Sequence, residues 1–327
     1  MFEWTRLRKK KMKRKTRKEK GALGKFGVRS IAILVLSFIV VVGCVLSALY
    51  PAESWKYYCS LPKVTAMGEG ELRIHYLDVG DGDCALLQFP DGKTVLIGGG
   101  TDDGESRKHV LRFLNALKIK KLDAVVIPTA TEEGVGVLRE VVKYYKIDKA
   151  YLPVAEETDG TYNALLADLQ RKKIVTEQAS FGVLFEDDSY TLQVLYPLAD
   201  SFSYSETVLM LSYGETDVLL GLGYGEKLYN VLTIEKELKL LERWGVSIES
   251  FDVIQVNAKV DEEALLAFAQ NFASKHAIFS CGSESAKPKQ EQLDALASAN
   301  VAVYRTDEQG RISITISGDA CAVVTER

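Results

Sequence analysis

The 21 residues from Ser30 to Tyr50, SIAILVLSFIVVVGCVLSALY, carry no charge, whereas the chain after them alternates short apolar runs with amphipathic stretches. At about 1.5 Å rise per residue, a helix of this length covers the roughly 30 Å hydrocarbon core of a bilayer. Beyond it two periods interleave. Leu72-Arg-Ile-His-Tyr-Leu77 alternates, and Cys84–Phe89, Lys93–Ile97 and Leu122–Ile127 are apolar runs of strand length; the turn residues Pro90-Asp-Gly92 join the second and third strands as a hairpin. Val110, Leu111, Leu114 and Leu117 recur at helical spacing and predict a helix over 106–117. Further helices are predicted over 137–145, 162–172, 228–244, 262–272 and 289–298. Strands are predicted between them at 149–152, 174–176, 191–196, 208–213, 217–220, 251–256, 277–281, 302–304 and 311–317. Such alternation predicts an α/β fold with mixed sheets, two sheets flanked by helices in a single domain after the apolar segment.

Charge separates the two parts. The chain has 327 residues and a formal net charge of −4, but residues 1–29 hold 13 Lys/Arg against 2 acids, and the remainder holds 28 bases against 43 acids. A tail of +11 thus precedes a body of −15. The positive-inside rule places the N-terminus in the cytoplasm and everything after residue 50 outside the cell membrane, with Trp55, Tyr57 and Tyr58 as interfacial anchors. A cleaved signal peptide, or a lipoprotein signal cut before Cys44, needs a shorter apolar core than this one. The expected organisation is a basic cytoplasmic tail (1–29), a transmembrane anchor (30–50), a linker (51–70), one domain (71–318) and a C-terminal tail (319–327). Anionic lipid is the expected partner of the basic tail, each base near the surface contributing about 1 kcal/mol. The acidic outer part argues against tight nucleic-acid binding.

Five cysteines, Cys44, Cys59, Cys84, Cys281 and Cys321, show no C-x-x-C spacing, which excludes a zinc ribbon or thioredoxin-like motif. The only histidines are His75, His109 and His276, so a His-rich metal centre is hard to build. Gly98-Gly-Gly100 lacks the Lys-Ser/Thr of a phosphate loop, and no Gly-x-Ser-x-Gly elbow occurs.

Leu77-Asp-Val-Gly-Asp-Gly-Asp83, Phe89-Pro-Asp-Gly-Lys-Thr-Val-Leu-Ile-Gly-Gly-Gly100 and Leu122-Asp-Ala-Val-Val-Ile127 occur in that order. Tyr151-Leu-Pro, Phe251-Asp-Val-Ile, Lys275-His-Ala-Ile-Phe-Ser280 and Val303-Tyr-Arg-Thr-Asp-Glu-Gln-Gly310 follow. Together they resemble the metallo-β-lactamase-like domain of ComEC-type competence proteins over residues 71–318. The resemblance implies an αββα sandwich whose loops at one edge of the sheets hold a dinuclear metal centre through His-x-His-x-Asp-His.

Laid on that pattern, this chain places Thr129 and Thr131 at the His-x-His pair, Glu133 at the Asp and Gly134 at the following His. Gly98 stands for the Asp before the paired glycines and Gly223 for the bridging Asp. Asn257-Ala258-Lys259 replaces a His-His-Gly, and Lys287 replaces a His before a Pro. Asp83, Asp102 and Glu133 are the acids that remain as weak divalent-ion candidates, of the kind that suits Mg²⁺ or Ca²⁺; a solvated acidic loop with Asp-Gly turns is the simpler reading. Asp78, Asp81 and Asp83 do not match a calcium loop. The expectation is a degenerate metallo-hydrolase: a non-catalytic binding or scaffolding module without a cofactor, facing a protein or ligand outside the membrane. The alternative is a divergent metal-dependent hydrolase or nuclease.

Overall fold

The computed structural model describes residues 27, 30–45, 57, 61–155, 158–196, 207–221, 242, 245–246, 248–256, 258, 260–282, 287–318 and 320–327. The chain divides into two compact units, Met1–Cys59 and Ser60–Arg327. In the first, residues 30–45 are helical and expose apolar side chains such as Leu34 and Phe38. Sixteen residues make about 24 Å of helix, and among the described residues no helix is long and apolar enough to cross a membrane. Residues 46–50 of the expected anchor lie outside the described residues. So do the basic tail apart from Gly27, the anchors Trp55 and Tyr58, Cys59, and nearly all of the expected helix 228–244.

In the second unit, one sheet of eight strands has the order β15-β14-β1-β2-β3-β4-β5-β6. Its members are β1 (Leu72–Tyr76), β2 (Cys84–Gln88), β3 (Thr94–Gly98), β4 (Lys121–Val126), β5 (Lys146–Leu152), β6 (Val175–Gln178), β14 (Ile312–Ser317) and β15 (Ala320–Thr325). The other sheet has the order β13-β12-β11-β10-β9-β8-β7. Its members are β7 (Gly182–Glu186), β8 (Tyr190–Tyr196), β9 (Val208–Tyr213), β10 (Thr216–Gly221), β11 (Val253–Val256), β12 (His276–Phe279) and β13 (Ala302–Arg305). Both sheets are mixed. Strands β3 to β6 and β10 to β13 run parallel, and the remaining pairs are antiparallel.

Parallel neighbours require crossovers, which helices supply. These are α1 (Gly104–Ala116), α2 (Glu132–Val135), α3 (Leu138–Tyr144), α4 (Gly160–Lys172), α5 (Glu262–Asn271) and α6 (Gln290–Ser298), with a single turn α7 (Thr306–Gln309) before β14. The β2–β3 hairpin closes where expected, with Gly92 at φ +87° donating its N–H to the Phe89 carbonyl (3.0 Å).

Alternation assigns the two faces of each strand. Leu72, Ile74 and Tyr76 of β1 join Leu87, Val95, Ile97, Leu209, Leu211, Val218 and Leu220 in a core between the sheets. The opposite face of β1 presents His75 to Phe113 of α1, ring centroids 4.9 Å apart. On the far side of the second sheet, Leu219, Ile254 and Phe279 pack on Leu265 and Phe268 of α5 and Leu296 of α6. Each such buried side chain contributes roughly 1.5–3 kcal/mol. Helix, sheet, sheet, helix is the resulting layering.

Two expectations are corrected. The segment 319–327 is not a tail: Ala320–Thr325 pairs antiparallel with β14 from Ile312↔Thr325 to Ser317↔Ala320, and Cys321 and Val323 pack on the inter-sheet core. Gly182–Glu186, where no strand is predicted, is the edge strand β7; its half-exposed pattern lacks the apolar run that marks a buried strand.

Candidate functional site

The described ligand positions of the resembled family are Gly98 at the end of β3, Thr129–Gly134 after β4, Ala258 after β11 and Lys287 after β12. Asp103 caps α1 by accepting from the N–H groups of Glu105 (2.8 Å) and Ser106 (2.9 Å). Asp159 caps α4 through the Tyr162 N–H (2.7 Å), and its other oxygen accepts from the Glu132 N–H (2.6 Å). The turn carrying Glu132–Val135 is thereby fastened to α4.

Thr129 and Thr131 are two apart on the extended chain that leads into this turn, and Glu133 lies in its first residues. Thr129 Oγ1 and Thr131 Oγ1 share a hydrogen bond (3.0 Å), and Thr131 Oγ1 lies 3.4 Å from Glu133 Oε2 as its donor. The row that would be His-x-His-x-Asp is a chain of two hydroxyls and one exposed carboxylate.

The two glycines at ligand positions have no room for a side chain. Gly98 sits at φ +70°, and a Cβ there would fall on the Asp83 carbonyl oxygen; at Gly134 it would fall on Thr129 Oγ1 and within 2.9 Å of the Thr129 carbonyl oxygen. The space that histidine or aspartate side chains would use is filled by main chain and by Thr129. Further round, the carbonyls of Ala258 and Val260 accept from Nε2 of the buried Gln292 on α6 (3.2 and 2.6 Å). Lys287 is half-buried, and its charge helps hold the Asp307 carboxyl low, a carboxyl that burial raises and Arg305 lowers. Gly223 and Lys259 lie outside the described residues.

The three candidate acids go to different partners. Asp102 is exposed and pairs with Arg107 Nε (2.8 Å). Glu133 meets Thr131. Asp83 is drawn inward, where Gln255 Nε2 of β11 donates to its Oδ1 (2.7 Å) and also lies 3.4 Å from Ser280 Oγ. Burial pushes the Asp83 carboxyl up to about 6, opposed by the Ser280 and Gln255 donors. Sequence reading did not find this Asp83–Gln255–Ser280 cluster, whose members come from three distant segments. Among the described residues no three His, Cys, Asp or Glu side chains could hold a metal together. Two hydroxyls, two blocked glycines and one carboxylate do not fit a dinuclear zinc or iron centre, which needs several N, S or O ligands on one point.

The histidines lie elsewhere. His75 Nε2 donates to Gln88 Oε1 (3.0 Å) and Nδ1 accepts from Ser313 Oγ (2.8 Å), while burial lowers its pKa to about 4, so the ring is neutral. His109 Nδ1 donates to the Asp78 carbonyl (2.7 Å). His276 stands at the start of β12 beside Tyr304. The four described cysteines are free thiols.

No family model matches the chain. In sequence it is 24% identical over 270 residues to ComE operon protein 3 of Bacillus subtilis (strain 168), covering 75% of this chain and 33% of that protein. The chain thus spans about a third of the length of the relative it matches. Among solved structures it is similar to the metallo-β-lactamase fold protein YhfI from Bacillus subtilis, with TM-score 0.46 and 12% identity over 77% of this chain and all of that one. It is also similar to CmlA, a diiron β-hydroxylase from Streptomyces venezuelae, with TM-score 0.47 and 11% identity over 77% of this chain and 55% of that one.

Proposed function

With the chain related to a ComEC-type competence protein and folded as a metallo-β-lactamase-like sandwich, we propose that it is a membrane-anchored, extracytoplasmic module that binds or scaffolds rather than hydrolyses. One observation carries this reading: at Gly98 and Gly134 the chain has lost the ligand side chains and closed the space they would occupy. Fold alone supports many functions, and the site argues for one. The uncharged run Ser30–Tyr50 and the 13 bases before it support an anchor with the N-terminus inside. The partner is a protein or ligand on the outer side, reached by a surface whose excess of acids disfavours nucleic acid.

Elemental analysis of the purified chain tests the reading: no stoichiometric zinc, manganese or iron is expected, and folding should not require it. One or two metal ions per chain, lost together with a phosphodiesterase activity in Glu133→Ala, would instead establish a divergent metal-dependent hydrolase. Glu133, the one carboxylate left in the motif row, is the specific observation behind that second reading.

A further inference from the structure

We propose that the cleft between α1 and the β14–β15 hairpin binds a small phosphorylated ligand. It encloses about 490 Å³, within the ordinary size of small-molecule sites, and lies beside Asp78 at the start of the Asp78–Asp83 loop, outside the ligand row. Its walls carry Lys108, Arg112, Arg311 and Arg327 against only Asp78 and Glu326, an excess of two positive charges in a body that is otherwise strongly acidic. A phosphate monoester at neutral pH carries about −1.5 to −2 and a pyrophosphate more, the sign of charge that this excess attracts.

The cations are not equally committed. Arg327 Nη2 pairs with Asp78 (2.8 Å), and Arg311 Nη1 lies 3.5 Å from Glu326 with its guanidinium 4.5 Å from the Phe113 ring centre. Lys108 reaches Glu105 at 3.1 Å, but that carboxylate is 71% exposed and the pair is a weak surface one. Arg112 has no carboxylate partner among the described residues, and its buried Nε has no acceptor. A planar donor fork left without an anion, on the wall of a cleft that Phe113 also lines, is the group suited to a phosphate.

A small ligand fits better than a polyanion. Charges farther away than about 8–10 Å are screened at physiological salt, so a compact phosphate senses the cleft, whereas a polymer lying across the domain meets its acidic surface as well.

The proposal deepens the binding-module reading by naming a ligand class. Its test is isothermal titration of the full chain in detergent with inorganic pyrophosphate, in the presence of EDTA. Saturable one-to-one binding is expected, weakened about tenfold or more by Arg112→Gln. It should be unchanged when Lys9, Lys10, Lys11 and Lys13 of the basic tail are replaced by glutamine. If Arg112→Gln does not fold, Lys108→Gln, at a half-buried position, should show a smaller loss. Absence of saturable binding, or binding lost in the tail variant and kept in Arg112→Gln, overturns the proposal. So does an Arg112-dependent preference for a single-stranded oligonucleotide over pyrophosphate. A chain that is metal-free but does not bind pyrophosphate sinks the cleft alone. One that binds pyrophosphate through Arg112 and carries catalytic metal sinks the non-catalytic reading alone.

Discussion

Replacing Asp83 by asparagine should stabilise the domain at alkaline pH and leave it nearly unchanged at acid pH. The Asp83 carboxyl is pushed by burial up to about 6, against about 3.9 for an unperturbed aspartate. Between those values the folded chain holds a proton that the unfolded chain has released, so stability falls as pH rises through the window. Its full cost is present above about 6. Two units at about 1.4 kcal/mol each set an upper limit near 3 kcal/mol; the carboxyl keeps partial contact with solvent, so about 1–2 kcal/mol is the working figure. Asparagine keeps an oxygen for Gln255 Nε2 and carries no charge to desolvate. Urea denaturation of a fragment starting at residue 60, followed by circular dichroism at pH 4 and pH 8, reads the difference. Asp83→Asn should gain about 1–2 kcal/mol over the parent at pH 8 and almost nothing at pH 4. A difference that does not vary with pH, or a variant less stable than the parent at pH 8, would refute the desolvation argument.

Gly134→His restores a family ligand in name only: it should cost about 1–3 kcal/mol in urea denaturation through overpacking on Thr129 and take up no zinc, and tight zinc uptake at undiminished stability would contradict the geometry. Gln292→Leu strips the Ala258 and Val260 carbonyls of their donor and should cost about 1–3 kcal/mol by the same assay; a neutral result would mean that another donor reaches them. A reporter active only outside the cytoplasm, fused after Arg327, should be active, and the protein should stay in the membrane through a carbonate wash. Release of a fragment beginning near residue 45 or 51 would show cleavage instead.

Strand positions were legible wherever one face or both faced a core. β1 alternates Leu72, Ile74 and Tyr76 toward the opposite sheet, and the parallel strands β4 and β11 read as mainly apolar runs, interrupted by Asp123 and Gln255, because helices cover their second face. Of the four edge strands, β6 and β13 are predicted at 174–176 and 302–304, whereas β7 and β15 give no such signal. β7 is half-exposed, and β15 packs Cys321 and Val323 inward while Val324 stays 62% exposed, so the last looked like a tail. The one-turn helices α2 and α7 are too short for a 3.6-residue period to register.

At the candidate site, legibility divides by sequence separation. Thr129 and Thr131 are spaced by two on the extended chain before α2, which puts their hydroxyls side by side, and Glu133 in the first turn of α2 meets Thr131, its N-cap. Asp102 lies on a different loop, after β3, and is claimed by Arg107 across the start of α1, a pairing that the helix geometry of Gly104–Ala116 creates. Asp83 and Gln255 are 172 residues apart and meet only because β11 takes its place in the second sheet with the end of its strand against the loop that follows β1. Gln255 is uncharged and sits in a strand whose other residues are valine and isoleucine, so nothing local marks it as a partner for a carboxylate. A neutral amide donates a hydrogen bond but brings no positive charge. It therefore offsets only part of the cost of burying Asp83, which leaves that carboxyl titrating near 6 rather than near 4.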